Sequence, residues 1–140
     1  MLDPGLPVDR VADAYRQWRD SKGMTADLFL DLMADEIEMR SVLEPELPDD
    51  LAANRKSRGQ AREYFAIISR DWEMIDFPQE KIVADGDTLV WIGRCSWRHR
   101  RSGQEIDTPK VDIWTFRDGK AVGFLEMFDS LGFARTAALI

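Results

Sequence analysis

Acidic and aromatic side chains alternate along the last segments of the chain, and they carry its most informative chemistry. Asp112 lies in Val-Asp-Ile-Trp-Thr-Phe, and Glu126 lies in Gly-Phe-Leu-Glu-Met-Phe-Asp. Side chains two residues apart share one face of a strand, which groups each acid with aromatic rings. A buried carboxyl group among such rings resists ionisation and can act as an acid or a base. The pattern predicts two carboxyl groups that share or transfer a proton, or two buried polar groups with structural partners.

Three further side chains could join these acids. Tyr15 lies at helical spacing with Val11 and Trp18, so its ring is expected in the core, with its hydroxyl group either facing the acids or bonded elsewhere. His99, the single histidine, and Cys95, the single cysteine, have the strand parity of the same face. A solvated position near a hairpin tip is the alternative for His99, and core filling is the alternative for Cys95.

Several kinds of chemistry have no signature in the sequence. It contains no glycine-rich phosphate loop, no Gly-x-Ser-x-Gly nucleophile elbow and no His/Cys ligand set, so we expect neither a cofactor nor a metal. The net charge of −7 argues against nucleic acid and against anionic membranes as partners. The single cysteine and the lack of a secretory signal or membrane span predict a cytoplasmic protein.

The predicted elements define an α+β fold. The length of 140 residues predicts one domain, residues 1–140. Helices are predicted at 7–22, 26–35 and 59–70, a strand at 37–42 and an irregular loop at 43–58. Further strands are predicted at 72–77, 80–85, 88–100, 105–116 and 121–129. This order predicts three N-terminal helices packed in a strongly curved antiparallel sheet, with a pocket at its open end and a tail after Gly132 that frays or closes over it.

The long hairpin of residues 88–116 allows its two faces to be assigned. If Arg100 pairs with Glu105, then Trp91 lies opposite Trp114, and both share the inner face. We expect the pocket to be lined by residues from this face, the helices and the neighbouring strands: Trp18, Met39, Ser41, Phe65, Trp91, Trp97, His99, Trp114 and Phe128. The outer face carries Val90, Ile92, Val111 and Ile113, which predicts a homodimer packed sheet against sheet, or a cover formed by the tail or a loop.

Several segments, in their order along residues 8–130, resemble the NTF2-like superfamily in its SnoaL-like and ketosteroid-isomerase-like branch, which includes polyketide cyclases. They are Val-Ala-Asp-Ala-Tyr-Arg-Gln-Trp at 11–18, Phe-Leu-Asp-Leu-Met-Ala-Asp-Glu-Ile at 29–37, Arg-Gly-Gln-Ala-Arg-Glu-Tyr-Phe at 58–65, Val-Asp-Ile-Trp-Thr-Phe-Arg-Asp-Gly-Lys at 111–120 and Glu-Met-Phe-Asp at 126–129. The resemblance implies the cone-shaped, cystatin-like fold of that superfamily.

The resemblance also implies roles for particular residues. Tyr15 and Asp112 match the tyrosine and aspartic acid that hold the oxyanion in ketosteroid isomerases, while Ser41 stands where that family has its general base. Glu126 matches the last-strand aspartate of limonene epoxide hydrolases, whose Arg-x-Asp falls at Arg94 and Ser96 here. SnoaL-like cyclases use an acid at this end of the sheet, which either Glu126 or Asp112 could supply.

Three functions are consistent with these features. The first is a cofactor-independent lyase, isomerase or cyclase in which Asp112 or Glu126 is the acid or base and Tyr15 polarises a carbonyl group. Its substrate would be a small, mostly apolar compound bearing a carbonyl or hydroxyl group. The second is a binding module without catalysis, and the third is an interaction domain that uses the outer sheet face.

Overall fold

The computed structural model describes residues 5–140, so the first four residues of the predicted domain lie outside the described part. Its helices are α1 (Val8–Asp20), α2 (Ala26–Leu30), α3 (Arg58–Asp71) and α4 (Ser130–Thr136). Its strands are β1 (Met33–Ser41), β2 (Arg55–Ser57), β3 (Trp72–Asp76), β4 (Gln79–Asp85), β5 (Thr88–His99), β6 (Glu105–Arg117) and β7 (Lys120–Met127). None of the helices in residues 5–140 is long and apolar enough to cross a bilayer.

The strands form one curved sheet in the order β2-β1-β7-β6-β5-β3, and β4 also pairs with β5. The β3 and β4 strands occupy successive halves of the same edge of β5, separated by a bend at Phe77 and Pro78. The pairs are antiparallel, as predicted, except that β1 runs parallel to β7. The α+β cone with helices against a curved sheet is therefore confirmed, with α4 as an additional C-terminal helix.

Local chemistry explains where α1 ends. The N–H of Gly23 donates to the Trp18 carbonyl at 2.8 Å, and the N–H of Lys22 donates to the Arg19 carbonyl at 3.1 Å. Both Lys22 and Gly23 have positive φ, 55° and 84°. This pair of bonds is the Schellman arrangement, and Lys22 occupies the left-handed position at which glycine is usually favoured, with Gly23 directly after it. The helix turns back here and presents Tyr15 and Trp18 to the core.

The second helix and the following loop differ from the prediction. Helix α2 ends at Leu30, and β1 already begins at Met33, where helix was predicted. Met33 pairs with Ala121 of β7, whose N–H donates to the Leu32 carbonyl at 2.7 Å. Sheet pairing outweighs the helical spacing of this segment. The predicted loop at 43–58 contains β2 and a short 3-10 helix, Asp50–Ala52.

The long hairpin has the predicted faces but another register. Its last ladder pair is Arg98–Glu105, and Trp91 lies opposite Asp112 instead of Trp114. The N–H of His99 bonds the Gln104 carbonyl and the N–H of Gly103 bonds the His99 carbonyl, which places the turn at residues 100–103 instead of the predicted 101–104. A slip of two residues keeps every side chain on its face, whereas a slip of one would reverse them. The inner face thus holds Asp112, Trp114 and Trp91 as predicted, all of them buried.

Candidate active site

A largely apolar cavity lies between the helices and the inner face of the sheet. Its volume is about 90 Å³, and most of its wall is aromatic. Its polar side chains come from Tyr15, Tyr64, Cys95, Thr108, Lys110, Asp112 and Glu126. The cavity approaches the surface at four half-buried side chains: Phe65, Trp97, Ile106 and Phe128.

Strand pairing places two acids and one amine side by side in this cavity. Asp112 of β6 lies directly opposite Glu126 of β7, and Lys110 lies two residues before Asp112 on the same face. The Lys110 Nζ donates to Asp112 Oδ1 at 2.6 Å and lies 3.7 Å from Glu126 Oε2. All three side chains are at least nine-tenths buried. The arrangement is one ammonium group between two carboxyl groups, shielded from water.

Each carboxyl group is held by a tyrosine from a different helix. The Tyr15 hydroxyl of α1 donates to Asp112 Oδ2 at 2.6 Å and accepts from Trp114 Nε1 at 2.9 Å. The Tyr64 hydroxyl of α3 lies 2.5 Å and 2.7 Å from the two oxygens of Glu126. Burial, followed by the neighbouring carboxylate, raises the pKa of both tyrosines well above its usual value. The two phenols therefore act as neutral hydrogen-bond donors.

The charge state of Lys110 and Glu126 follows from burial and proximity. Burial opposes the charge of the Lys110 ammonium, yet the carboxylates of Asp112 and Glu126 raise its pKa above the usual value. Burial also raises the pKa of Glu126, although Lys110 and the Tyr64 hydroxyl oppose this. Lys110 is thus a permanent cation here, and Glu126 is a more basic carboxylate than one in water.

An arginine supports the Glu126 side of the site. The guanidinium of Arg55 is buried and lies 5.4 Å from the centre of the Tyr64 ring. Its nitrogens donate to the backbone carbonyls of Ala53 and Asp50, both at 2.8 Å. These two backbone carbonyls thereby hold the Arg55 guanidinium over one face of the Tyr64 ring.

Eight of the residues predicted for the site line the cavity. They are Tyr15, Trp18, Phe65, Trp97, Asp112, Trp114, Glu126 and Phe128. The other four, Met39, Ser41, Trp91 and His99, lie outside its lining. Trp91 stacks on Tyr15 from behind, with ring centres 4.6 Å apart, and Met39 is buried in the core.

Ser41 and His99 have local partners instead. The Ser41 hydroxyl accepts from the Leu43 N–H at 3.1 Å. His99 Nδ1 accepts from the Ser102 N–H at 3.2 Å, and its ring borders a second, more polar cavity of about 330 Å³. Burial raises the pKa of the Cys95 thiol to about 11, which keeps this cavity-lining group protonated near neutral pH.

Sequence reasoning missed Lys110 and Tyr64 as site residues. Lys110 has the parity of the inner face, and a lysine at such a position between Thr108 and Asp112 is a signal for a buried ion pair. Tyr64 lies beside Phe65 on α3, and the helical spacing with Ala61 and Ile68 is met by either residue. Within residues 5–140, no cluster of three or more His, Cys, Asp or Glu side chains has the arrangement to hold a metal ion.

This combination of a curved α+β cone and an acid-bearing cavity matches a known family. A family model described as the SnoaL-like domain matches residues 10–124. The chain therefore belongs to the SnoaL-like domain family, within the NTF2-like fold. No curated protein matches the chain.

Solved structures show the same fold at low identity. An NTF2-like protein from Burkholderia xenovorans LB400 is 19% identical, with a TM-score of 0.76 over 93% of this chain and 94% of that one. TerC, co-crystallised with polyporic acid, is 19% identical, with a TM-score of 0.77 over 97% and 99%. A candidate SnoaL-like polyketide cyclase from Jannaschia sp. CCS1 is 18% identical, with a TM-score of 0.70 over 97% and 96%.

Proposed function

We propose that this protein is a cofactor-independent isomerase, cyclase or lyase that moves a proton on a flat, mostly apolar carbonyl or hydroxyl compound. The observation that carries the proposal is the Lys110 ammonium held between Asp112 and Glu126 in an otherwise apolar cavity. Its family and the names of the related cyclases support the reaction class. TerC, which has the same fold, was co-crystallised with polyporic acid, and this supports a small organic ligand for the present protein.

Lys110 is the group best placed to bind the substrate oxygen. Its ammonium has three donors, of which one reaches Asp112 and another faces Glu126. The remaining donor can bind a carbonyl oxygen and stabilise the negative charge that develops there as the neighbouring C–H bond breaks. Because its pKa is raised, Lys110 is suited to this electrostatic role and poorly suited to Schiff-base formation.

Glu126 is the group best placed to take the proton. Its raised pKa makes it a better base than an ordinary carboxylate, and its protonated form can return the proton to another carbon or oxygen of the enolate. Both oxygens of Asp112 already accept hydrogen bonds, from Lys110 and Tyr15. Asp112 and Tyr15 therefore position Lys110, a role that differs from direct carbonyl polarisation by Tyr15.

The size of the cavity limits the substrate. Its volume of about 90 Å³ is well below the roughly 300–1,000 Å³ of sites for drug-sized ligands. A bicyclic ketone would have to displace one of the half-buried rings at the mouth, such as Phe65, Trp97 or Phe128. Intrinsic tryptophan fluorescence reports such binding, since Trp18, Trp97 and Trp114 line the cavity.

A proton-exchange assay tests the proposal without knowledge of the natural substrate. Wild-type protein should accelerate exchange of the protons beside the carbonyl group of 2-tetralone for deuterium, followed by NMR. Loss of a general base or an oxyanion donor typically costs about 10²–10⁴-fold, so Glu126→Gln and Lys110→Met should fall by at least about 100-fold. Exposed residues provide matched controls, Glu63→Gln and Lys81→Met. Exchange as fast in both site variants as in the controls contradicts the proposal.

Ligand binding without catalysis is the second candidate. It is favoured by the closure of the network, in which the tyrosine hydroxyls and the Lys110 ammonium satisfy the carboxyl groups internally. In that case 2-tetralone and related flat ketones would quench tryptophan fluorescence saturably, and neutralising Asp112 and Glu126 would change affinity without any exchange activity being present.

The outer sheet face supports a homodimer as part of the proposal. Apolar side chains from four neighbouring strands share this face and form what we call the outer apolar patch: Val83, Val90, Ile92, Val111, Ile113, Leu125 and Met127. Val83 and Met127 are 46% and 41% exposed, which is unfavourable for a solvated sheet. The same patch would serve a protein partner in the interaction-domain alternative. The single cysteine, Cys95, supports a cytoplasmic location.

A further inference from the structure

One buried hydrogen-bond donor on the cavity wall has no partner among the described residues. Trp72 begins β3, is 5% exposed and lines the cavity, yet its indole Nε1 bonds to no other group in residues 5–140. By contrast, Trp91 Nε1 donates to Gln79 and Trp114 Nε1 donates to Tyr15, both at 2.9 Å. Buried N–H groups without a partner are rare and costly. The exception therefore calls for a physical cause.

Strand register places Trp72 at the opposite end of the cavity from the acids. Trp72 pairs with His99 of β5, whereas Lys110 pairs with Gly93 of the same strand. Six residues of β5 separate these two levels. The wall between them is mostly apolar, with Trp97, Ile106, Phe128 and Phe133 beside the single Cys95–Thr108 pair. The cavity thus has a charged end, an apolar middle and one N–H donor at the far end.

The rings packed against Trp72 offer its donor no acceptor. Its indole stacks on Phe133 of α4 at 5.4 Å between ring centres and meets the edge of His99 at 4.7 Å. The nitrogen itself is covered, so an occupant reaches it when a neighbouring ring such as the stacked Phe133 shifts. Phe133 belongs to a helix of one or two turns, which makes such a shift inexpensive compared with movement of the sheet.

We propose that the Trp72 indole N–H donates a hydrogen bond to an acceptor oxygen at the far end of the ligand. The ligand is then an apolar ring system with an oxygen at each end: a carbonyl or hydroxyl group at Lys110, and a carbonyl, hydroxyl or ether oxygen at Trp72. Trp72 is a specificity-determining residue in this scheme, because ligands without the second oxygen leave its donor unpaired. The inference deepens the proposed function by naming the substrate class, and it rests on the proposed function only for the Lys110 end.

A pair of probes isolates the second oxygen. Calorimetric titration would compare 2-tetralone with 6-methoxy-2-tetralone, which adds an ether oxygen remote from the carbonyl group. A gained neutral hydrogen bond is worth about a five- to tenfold affinity difference, so wild-type protein should bind the methoxy compound tighter by about that factor. Trp72→Phe should bind the two compounds with equal affinity. Equal affinities in the wild type, including no measurable affinity for either, or an unchanged ratio in Trp72→Phe, would overturn the inference.

Trp91→Phe is the matched control because it removes the same atoms from a tryptophan whose N–H is already bonded to Gln79. It should lose thermal stability while keeping the affinity ratio. Trp72→Phe should lose the ratio while losing less stability, since no hydrogen bond is broken. Deuterium exchange separates the two proposals: if Glu126→Gln exchanges as fast as wild type while Trp72→Phe abolishes the ratio, the proposed function fails and the Trp72 site stands.

Discussion

A single ammonium group determines the charge of the cavity. Lys110 lies within hydrogen-bonding distance of Asp112 and 3.7 Å from Glu126, and the three groups are almost completely buried. Two carboxylates without a cation would repel each other strongly in such a place, because charges are poorly screened away from water. The Lys110 ammonium offsets negative charge on the two carboxyl groups. The same groups that give the site its chemistry are therefore a stability risk when one is removed.

Lys110→Met tests this balance. Removing one partner of a buried ion pair typically costs about 3–5 kcal/mol, so the free energy of unfolding should fall by about that amount at pH 7. The deficit should shrink in acid, because the Glu126 carboxyl group, whose pKa is raised, then binds a proton and leaves less negative charge to compensate. Urea unfolding at pH 7 and pH 4.5 would measure both effects, with the exposed Lys81→Met as control. A variant as stable as wild type at pH 7, or a deficit independent of pH, would contradict the assigned cluster.

Glu126 should give the stability of the protein a distinctive pH dependence. Burial, opposed by Lys110 and Tyr64, raises its folded-state pKa above the ordinary value of 4.5, so the folded protein binds this proton more tightly than the unfolded chain. The contribution is fully present below pH 4.5 and is lost as pH rises from there through the folded pKa. Glu126→Gln keeps the shape without the proton and should lose less stability over that interval. Equal pH profiles for Glu126→Gln, Glu63→Gln and wild type would refute the raised pKa.

At the scale of elements, Gly93 fixes how β4, β5 and Trp91 fit together. A Cβ at Gly93 would overlap the Pro78 carbonyl oxygen and the Trp91 ring. That carbonyl accepts from the Arg94 N–H at 3.0 Å at the bend between β3 and β4, and it belongs to rigid backbone. Trp91 in turn stacks on Tyr15, the residue that orients Asp112. A change in the bend of the sheet would therefore displace Trp91 and Tyr15, and with them the Asp112 carboxyl group.

Gly93→Ala should consequently destabilise the protein by about 1–3 kcal/mol, the usual cost of overpacking, and should slow deuterium exchange through the displaced Tyr15. Gly59→Ala is the control, because a Cβ there meets only Ser57 Oγ at 3.8 Å and alanine favours the helix. It should leave thermal stability unchanged or raise it. A Gly93→Ala protein with the melting temperature of wild type would show that the bend tolerates a side chain.

The strands were predictable because their side chains alternate between two faces, and the helices were predictable because their apolar residues recur at helical spacing. The faces of the β5–β6 hairpin followed from parity even though the register was two residues off, since the turn and not the pattern sets the length of the connection. The early start of β1 could not be predicted, because its pairing with β7 joins residues far apart in sequence. Tertiary pairing there decides a segment whose local pattern favours helix.

The candidate site was predictable for the two acids and Tyr15, and less so for their partners. Asp112 and Glu126 stood out as carboxyl groups among aromatic residues, and their direct pairing follows from adjacent strands. Tyr64 reaches Glu126 from a helix 62 positions away in the chain, a contact that only packing of α3 on the sheet determines. Strand parity alone could not exclude His99 from the candidate site, because the curvature at the hairpin tip directs it toward the second cavity.

At the scale of the whole molecule, the outer apolar patch should decide the oligomeric state. A stable interface buries about 800 Å² per partner, and the patch spans four strands with apolar side chains at its centre. Light scattering after size exclusion should give twice the chain mass for wild type. Ile113→Lys, at the centre of the patch, should give the monomer mass with unfolding still cooperative, because this half-buried side chain faces away from the cavity.

Met24→Lys changes a residue that is 80% exposed on the α1–α2 connection and should remain dimeric. A monomeric wild type would assign the patch to another protein, whereas a dimeric Ile113→Lys would place the interface elsewhere on the chain.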